Sequence, residues 1–313
     1  MNQQTAGPLT FEYRPIMMIF CILFAMAPGF AISGQGPLVR DKYPAFSSGM
    51  FADAVIETLD KGTVLLAEGL TITEADLNKA LASEDPGLQK QLEKNLIFVL
   101  EQETVRQALV REAKKGAIGQ DSQDDDSRIE QYLAGKIEGL SVSEQEIDSF
   151  YQKNKDMLET APFETLKDSI HEYLLQEKKE AAVTSTLEKL TDSLRFRIDG
   201  GWLEKQNRLA LDNPVDKARS SGKPTMAQFG AKGCVPCDMM QPILAELRKK
   251  HQDTLNVVYI HVGEEQILGA RYGISSIPVQ MFFDASGKEV FRHTGFLAAE
   301  EIDKQLKEIG ATK

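Results

Sequence analysis

Apolar residues recur at helical spacing through much of the chain from Pro86 to Leu194. From Pro214 onward the pattern switches to strand-like runs alternating with helical stretches. The first ordered signal is "TVLLAEG", Thr63 to Gly69, which has strand character. "TITEADLNKAL" then opens a helix, with Thr73 as N-cap and Asp76 three residues on. From Pro86 the series Leu88, Leu92, Leu96, Val99 and Leu100 predicts one long helix, closed by the basic "AKKG" and Gly116. The acidic "GQDSQDDDS" reads as a solvated loop, and Ser143 with Glu146 in the capping-box position starts another helix. The longest helical pattern follows Pro162, carrying Phe163, Leu166, Ile170, Leu174, Leu187, Leu190 and Leu194 on one side. "LRFRI" alternates, which predicts a short strand that pairs with "TVLLAEG" and closes the domain.

"DGGWLEKQNRLALDNP" reads as a hinge, with Gly200 and Gly201 as its flexible point. Beyond it the expected order is helix 214–221, strand 224–229, helix 234–250, strand 255–262, helix 264–272, strand 279–284, strand 289–294 and helix 298–309. "DASGK" forms the turn between the last two strands. That alternation predicts an open α/β sheet.

A chain of 313 residues suits two domains rather than one. The expected division is a targeting segment over 1–33, an irregular segment over 34–59, a mainly helical domain over 60–198, the hinge over 199–212 and an α/β domain over 213–313. Charge separates the halves. From Leu209 onward Lys and Arg balance Asp and Glu, so the net charge of -11 lies upstream. An acidic front half argues against nucleic acid, whose phosphates it would repel.

Residues 1–33 differ in kind. Arg14 precedes an apolar run from Ile16 to Ala27, Pro28 closes it, and the small residues Gly29 and Ala31 follow. This is the layout of a secretory signal cleaved after Ala31, and the run falls short of the roughly 20 residues that span a bilayer. A retained anchor is the alternative, because Glu12 weakens the basic flank. Either way the expected location is periplasmic or extracytoplasmic. Cleavage removes Cys21 and leaves Cys234 and Cys237 in an oxidising compartment, where they are expected to pair.

Those two cysteines form "CVPC" at the junction of an expected strand and helix. Unpaired backbone N–H groups and the helix dipole favour negative charge there, so a thiolate at Cys234 is stabilised. Val235 and Pro236 stiffen the turn that brings the two sulfurs within one helical turn of each other. The same spacing is also half of a zinc site. Tetrahedral zinc needs two further ligands, and the C-terminal half offers only His251, His261 and His293, none in a paired spacing. No metal is therefore expected, and no cofactor beyond a redox-active disulfide.

"CVPCDMMQPILAEL" followed by "LNVVYIHVGEEQILGARYGISSIPVQMFF" resembles a thioredoxin-fold oxidoreductase, from about Asn213 to the end. The resemblance implies Cys234 as the exposed nucleophile, Cys237 as the resolving thiol and Pro242 as a helix kink. It also implies a cis bond between Ile277 and Pro278, with Ile277 backbone groups presented to an extended substrate. The chain departs from that family where it matters chemically. Gln228 stands where an acid would accept the proton of the resolving cysteine, Tyr259 where a lysine would pair with that acid, and Gly233 where a tryptophan precedes the motif. Asp238 follows the second cysteine in place of a base, and opposes a neighbouring thiolate.

The front domain, over residues 60–198, is similar to the helical chaperone domain of SurA-type parvulin isomerases. In that family the isomerase domain commonly sits between the "YQKNKDM" helix and the last long helix. Here only Leu158 to Phe163 separate them, so no isomerase activity is expected. A module that holds unfolded chains remains, with a spacer or dimerisation domain as its alternative. The expected whole is an exported thiol–disulfide oxidoreductase, reductase or isomerase by preference, acting on unfolded or cysteine-bearing clients and fed by a membrane or envelope thiol donor. The alternative is a chaperone that uses the thioredoxin fold as a docking platform with little redox turnover.

Overall fold

The computed structural model describes residues 36–46, 49–116, 124–155 and 162–312. The apolar N-terminal run, its signal-or-anchor alternatives and Cys21 lie outside these residues. In chain order the elements begin with α1 (Val39–Lys42), a 3-10 turn (Pro44–Phe46), β1 (Val55–Glu57), β2 (Thr63–Ala67) and β3 (Leu70–Thr73). Helices α2 (Glu74–Ala82), α3 (Pro86–Leu92), α4 (Leu96–Lys115), α5 (Asp125–Ile137), α6 (Glu144–Asn154) and α7 (Phe163–Asp192) follow. The remainder is β4 (Arg197–Asp199), α8 (Gly200–Ala210), α9 (Pro214–Arg219), β5 (Thr225–Gly230), α10 (Val235–Lys250), β6 (Asn256–His261), α11 (Gln266–Arg271), β7 (Val279–Phe283), β8 (Glu289–Thr294) and α12 (Ala299–Glu308).

These elements divide into two compact units that do not follow chain order. One takes the chain up to Val64, Thr73–Gln102 and Ile198–Lys313; the other takes Leu65–Ile72 and Glu103–Arg197. A four-stranded sheet in the order β1-β4-β2-β3 contains the pairing of β4 with β2 that the alternation in "LRFRI" leads one to expect.

The first unit is organised by a second four-stranded sheet, in the order β6-β5-β7-β8. Strand β5 runs parallel to β6 and antiparallel to β7, which is antiparallel to β8. All six residues of β5 are buried, as a strand covered on both faces requires. Alternation sends Met226 to one face, where Met240, Leu244 and Leu247 of α10 meet Ile302 and Leu306 of α12. Ala227 and Phe229 point to the other face and pack with Val215 of α9, Leu268 of α11 and Tyr272. Each fully buried Leu, Met or Phe contributes about 1.5–3 kcal/mol relative to exposure, so these two layers hold the sheet between them.

Polar groups lock the second layer. The carboxylate of Asp216 is buried, and it accepts from Arg219 Nη1 at 3.1 Å, Tyr272 Oη at 2.8 Å, Arg271 Nη2 at 3.3 Å and Asn213 Nδ2 at 2.6 Å. Arg219 also donates through Nε to the carbonyl of Gly287 in the β7–β8 turn. One carboxylate thus ties α9, the segment after α11 and, through Arg219, the far hairpin. Burial and the adjacent Asp216 push the Tyr272 phenol well above its ordinary pKa, so it stays a donor.

Helix α3 belongs to this unit as well. Gln91 Oε1 accepts the Ile267 N–H at 3.1 Å, meeting one of the unpaired amides at the start of α11, and Lys94 pairs with Asp212 at 2.8 Å. The other unit is helical. Helices α5 and α6 pack on α7. Lys167 pairs with Glu144 at 2.6 Å, Lys178 with Glu146 at 2.7 Å, and Phe150 meets Tyr173 with centroids 5.3 Å apart.

Several expectations change. The single helix from Pro86 to Gly116 is two, because Asn95 Nδ2 bonds the Gln91 carbonyl and ends α3, while Phe98 N–H bonds the Asn95 carbonyl as α4 begins. The acidic stretch is a loop only in part: Asp124 caps α5, accepting from Asp126 and Ser127, and Asp125 and Asp126 fill its first turn. The segment read as a hinge is α8, with Asp199 as its cap and Trp202, Leu203, Gln206 and Ala210 buried on one face. Gly200 and Gly201 are its first two helical residues, so their flexibility is not used. Residues 36–46 and 49–57 are more regular than the irregular segment expected there, burying Val39, Tyr43, Phe46, Phe51 and Val55.

Replacing Asp216 by Ala strands two guanidinium groups and a phenol against the core. Asp216→Ala is expected to cost about 3–5 kcal/mol in urea unfolding. A loss under about 1 kcal/mol would show that the network adds nothing to stability.

Candidate active site

The strand β5 ends at Gly230, and the chain turns through Gly233 before α10 begins. Gly233 has φ +79°, a left-handed conformation that a side chain resists, so the glycine that replaces an expected tryptophan is what lets this turn close. Cys234 is the N-cap of α10, and its Sγ accepts from the Cys237 N–H at 3.3 Å. A sulfur in that position faces the positive end of the helix. Cys234 and Cys237 form a disulfide, with Cα atoms 5.2 Å apart. Cys234 is half-buried and Cys237 fully buried, so an incoming thiol meets Cys234 first. Val235 is 70% exposed and Met239 53%, leaving apolar surface beside the reactive sulfur. Pro236 is the second helical residue, where its missing N–H costs nothing, and Pro242 lies inside the helix.

The Ile277–Pro278 bond is cis. Pro278 directly precedes Val279, whose partner on β5 is Phe229, so the cis proline lies at the Gly230 end of the sheet, the end that leads into Cys234. Its carbonyl accepts from the Gly295 N–H at 2.8 Å, and Ile277 is half-buried.

Beneath the disulfide the sheet is polar. Gln228 pairs in register with Tyr259 on β6 and Gln280 on β7, so three polar side chains line one row of the face toward α10. Gln228 and Gln280 are fully buried, and neither amide has a hydrogen-bond partner among the described residues. Tyr259 is half-buried. Desolvation, then the charges of Asp238 and Glu264, raise its phenol pKa. A Cβ built on Gly230 would lie 3.3 Å from Cys237 Sγ and 3.3 Å from Tyr259 Oη, so both atoms converge on the space this glycine leaves. His261 Nε2 accepts the Lys232 N–H at 3.2 Å and steadies the loop before the motif. No group of three or more His, Cys, Asp or Glu among the described residues is arranged to hold a metal ion.

Residues 211–310 match the family model described as a thioredoxin-like domain. The chain is 32% identical over 98 residues to a thioredoxin of Alicyclobacillus acidocaldarius, covering 31% of this chain and 92% of that protein. It is 34% identical over 95 residues to the thioredoxin of Bacillus subtilis, covering 30% and 89%. The chain belongs to the thioredoxin-like family. It is also 32% identical over 101 residues to the thiol:disulfide interchange protein TxlA homolog of Synechocystis, covering 32% of this chain and 55% of that protein. The thioredoxin-like domain thus accounts for about a third of the chain, and the chain spans about half of the TxlA homolog.

Sequence reasoning did not single out Gly230 or Gln280. Gln280 carried a signal, being a lone amide in the apolar run "VQMFF"; Gly230 carried little, since a strand-end glycine reads as ordinary loop entry to the next helix.

Gln280 is buried and its amide has no hydrogen-bond partner among the described residues, so its polar atoms offset none of their desolvation through protein contacts. Gln280→Met, nearly the same shape, is expected to leave urea stability unchanged or raise it by about 1 kcal/mol. A loss above about 2 kcal/mol would mean that the amide is hydrogen-bonded in solution.

Proposed function

We propose that this protein is an exported thiol–disulfide oxidoreductase that exchanges electrons with cysteine-bearing client proteins through Cys234 and Cys237. One observation carries the reading: a disulfide at a helix N-terminus whose first sulfur is reachable and whose second is buried. In the reductive direction the Cys234 thiolate attacks a client disulfide, forming a mixed disulfide and releasing one client thiolate. Cys237 loses its proton and attacks Cys234 Sγ; the second client sulfur leaves, and the client has gained two electrons. Ile277 and Pro278 orient the client strand. Reductase or isomerase action is favoured by Ile277 before the cis proline and Pro236 before Cys237, both of which resemble thioredoxin itself.

Gln228 sets the tempo of the second step. A carboxylate there would accept the Cys237 proton; an amide cannot. Resolution is slow and the mixed disulfide long-lived, which suits an enzyme that holds clients while they fold. The SurA-like front domain supplies that hold on unfolded chains, and the secretory layout of residues 1–33 supports work in the periplasm or another extracytoplasmic space. There the partners are unfolded clients and a membrane or envelope thiol donor, with no nucleic acid and no bound cofactor. No described helix is long and apolar enough to cross a membrane.

The protein is expected to accelerate reduction of insulin by dithiothreitol, and Cys237→Ser to trap a client covalently on Cys234. Gln228→Asp should shorten the life of the mixed disulfide near neutral pH, read by stopped-flow release of a labelled peptide. No insulin reduction by the intact protein would leave the docking-platform reading in its place. Client holding is tested separately: the full chain with both Cys234 and Cys237 changed to Ala should still suppress light scattering by an aggregating client. Scattering unchanged at molar excess would reduce the front domain to a spacer.

A further inference from the structure

A resolving cysteine without a neighbouring base still has to become a thiolate, and something must stabilise that charge in a buried place. Cys237 is fully buried beneath the sheet end. Burial alone holds a thiol protonated. The cross-strand row on the α10 side of the sheet is neutral: the amides of Gln228 and Gln280, and the Tyr259 hydroxyl. Of these, the hydroxyl is the group whose distance from the sulfur is bounded by a shared neighbour. Tyr259 Oη and Cys237 Sγ each come within 3.3 Å of the point where a Gly230 Cβ would stand, so the two atoms are separated by no more than two such contacts.

Gly230 is the second half of the observation. It is buried at the end of β5, where its backbone does not need the left-handed conformation that demands glycine elsewhere in the chain. Its lack of a side chain therefore has a packing consequence: any Cβ would crowd the phenol and the sulfur, each at 3.3 Å. The glycine keeps a line of approach open.

We infer that Tyr259 is the hydrogen-bond donor to the Cys237 thiolate, through the gap left by Gly230, and so sets the pH at which the mixed disulfide resolves. The inference rests on the thiol–disulfide exchange proposed above. In the resolving step the Cys237 proton goes to solvent, the thiolate attacks Cys234 Sγ, the Cys234–Cys237 bond forms and the client sulfur leaves. Tyr259 keeps its proton throughout and donates only a hydrogen bond. Desolvation and the charges of Asp238 and Glu264 hold the phenol in its protonated form, as a donor requires. Asp238 on α10 and Glu264 after β6 also oppose the thiolate. His261, with Nδ1 4.0 Å from Glu264 Oε1, moderates that opposition only when protonated. Against these, a charge-assisted hydrogen bond from the Tyr259 hydroxyl stabilises the thiolate.

The test has two readouts. In full-length Cys234→Ala protein with a carbon-13 label at the cysteine Cβ, Cys237 is titrated by its chemical shift. Adding Tyr259→Phe is expected to raise its pKa by about one unit. In protein with both cysteines, Tyr259→Phe should slow release of a labelled peptide from the mixed disulfide about tenfold near neutral pH, and converge with wild type at high pH. Formation of the mixed disulfide by Cys234 should keep its rate. Gly230→Ala, which inserts a methyl group into the gap while keeping the phenol, should reproduce both changes. An identical Cys237 titration in the presence and absence of the Tyr259 hydroxyl overturns the inference. Should wild type form no mixed disulfide with any client, the exchange reading falls, while the titration still decides the role of Tyr259.

Discussion

Strand β5 is buried at every one of its six positions, and most of what is chemically distinctive about this protein follows from that constraint. A strand covered on both faces has no position at which a polar side chain reaches water. Gln228 is therefore dry, and so is its cross-strand neighbour Gln280. The same coverage fixes the start of α10, because Met240, Leu244 and Leu247 seat that helix on the Met226 face. The two sulfurs inherit their unequal exposure from this seating: Cys234 at the rim, Cys237 one helical turn inward.

The electrostatics of the site are a balance of small terms with no dominant charge. The helix N-terminus favours a thiolate at Cys234, worth up to about 2 kcal/mol in a partly buried setting. Asp238 in the first turn of α10 benefits from the same dipole and repels the sulfur beside it. The sheet row on the α10 side holds two amides and a phenol, Gln228, Gln280 and Tyr259.

How much of this the sequence disclosed depends on range. Local chemistry was legible: the capping boxes at Thr73 and Ser143 form as their spacing demands, and every C-terminal strand and helix lies within two residues of its expected bounds. The cysteine pair and the Ile277–Pro278 segment were legible through resemblance. Hidden from the sequence was whatever depends on a partner far along the chain. Asn95 breaks a helical pattern that Leu92 and Leu96 alone would continue. Gly200 and Gly201 suggest looseness until Trp202 and Leu203 find a core. The gap at Gly230 exists only because α10 and β6 both approach it, and no spacing rule encodes a meeting of that kind.

Helix α3 gives the unit a property that its linear order conceals. Gln91 completes the amide end of α11, and Lys94 answers the charge of Asp212, although both residues precede the thioredoxin-like match by more than a hundred positions. Excising residues 211–310 as a free-standing thioredoxin would expose the first amides of α11 and leave Asp212 without Lys94. The natural cut lines of this molecule are therefore three-dimensional. A graft of this domain onto another leader would have to bring α3 with it to keep the contacts of Gln91 and Lys94.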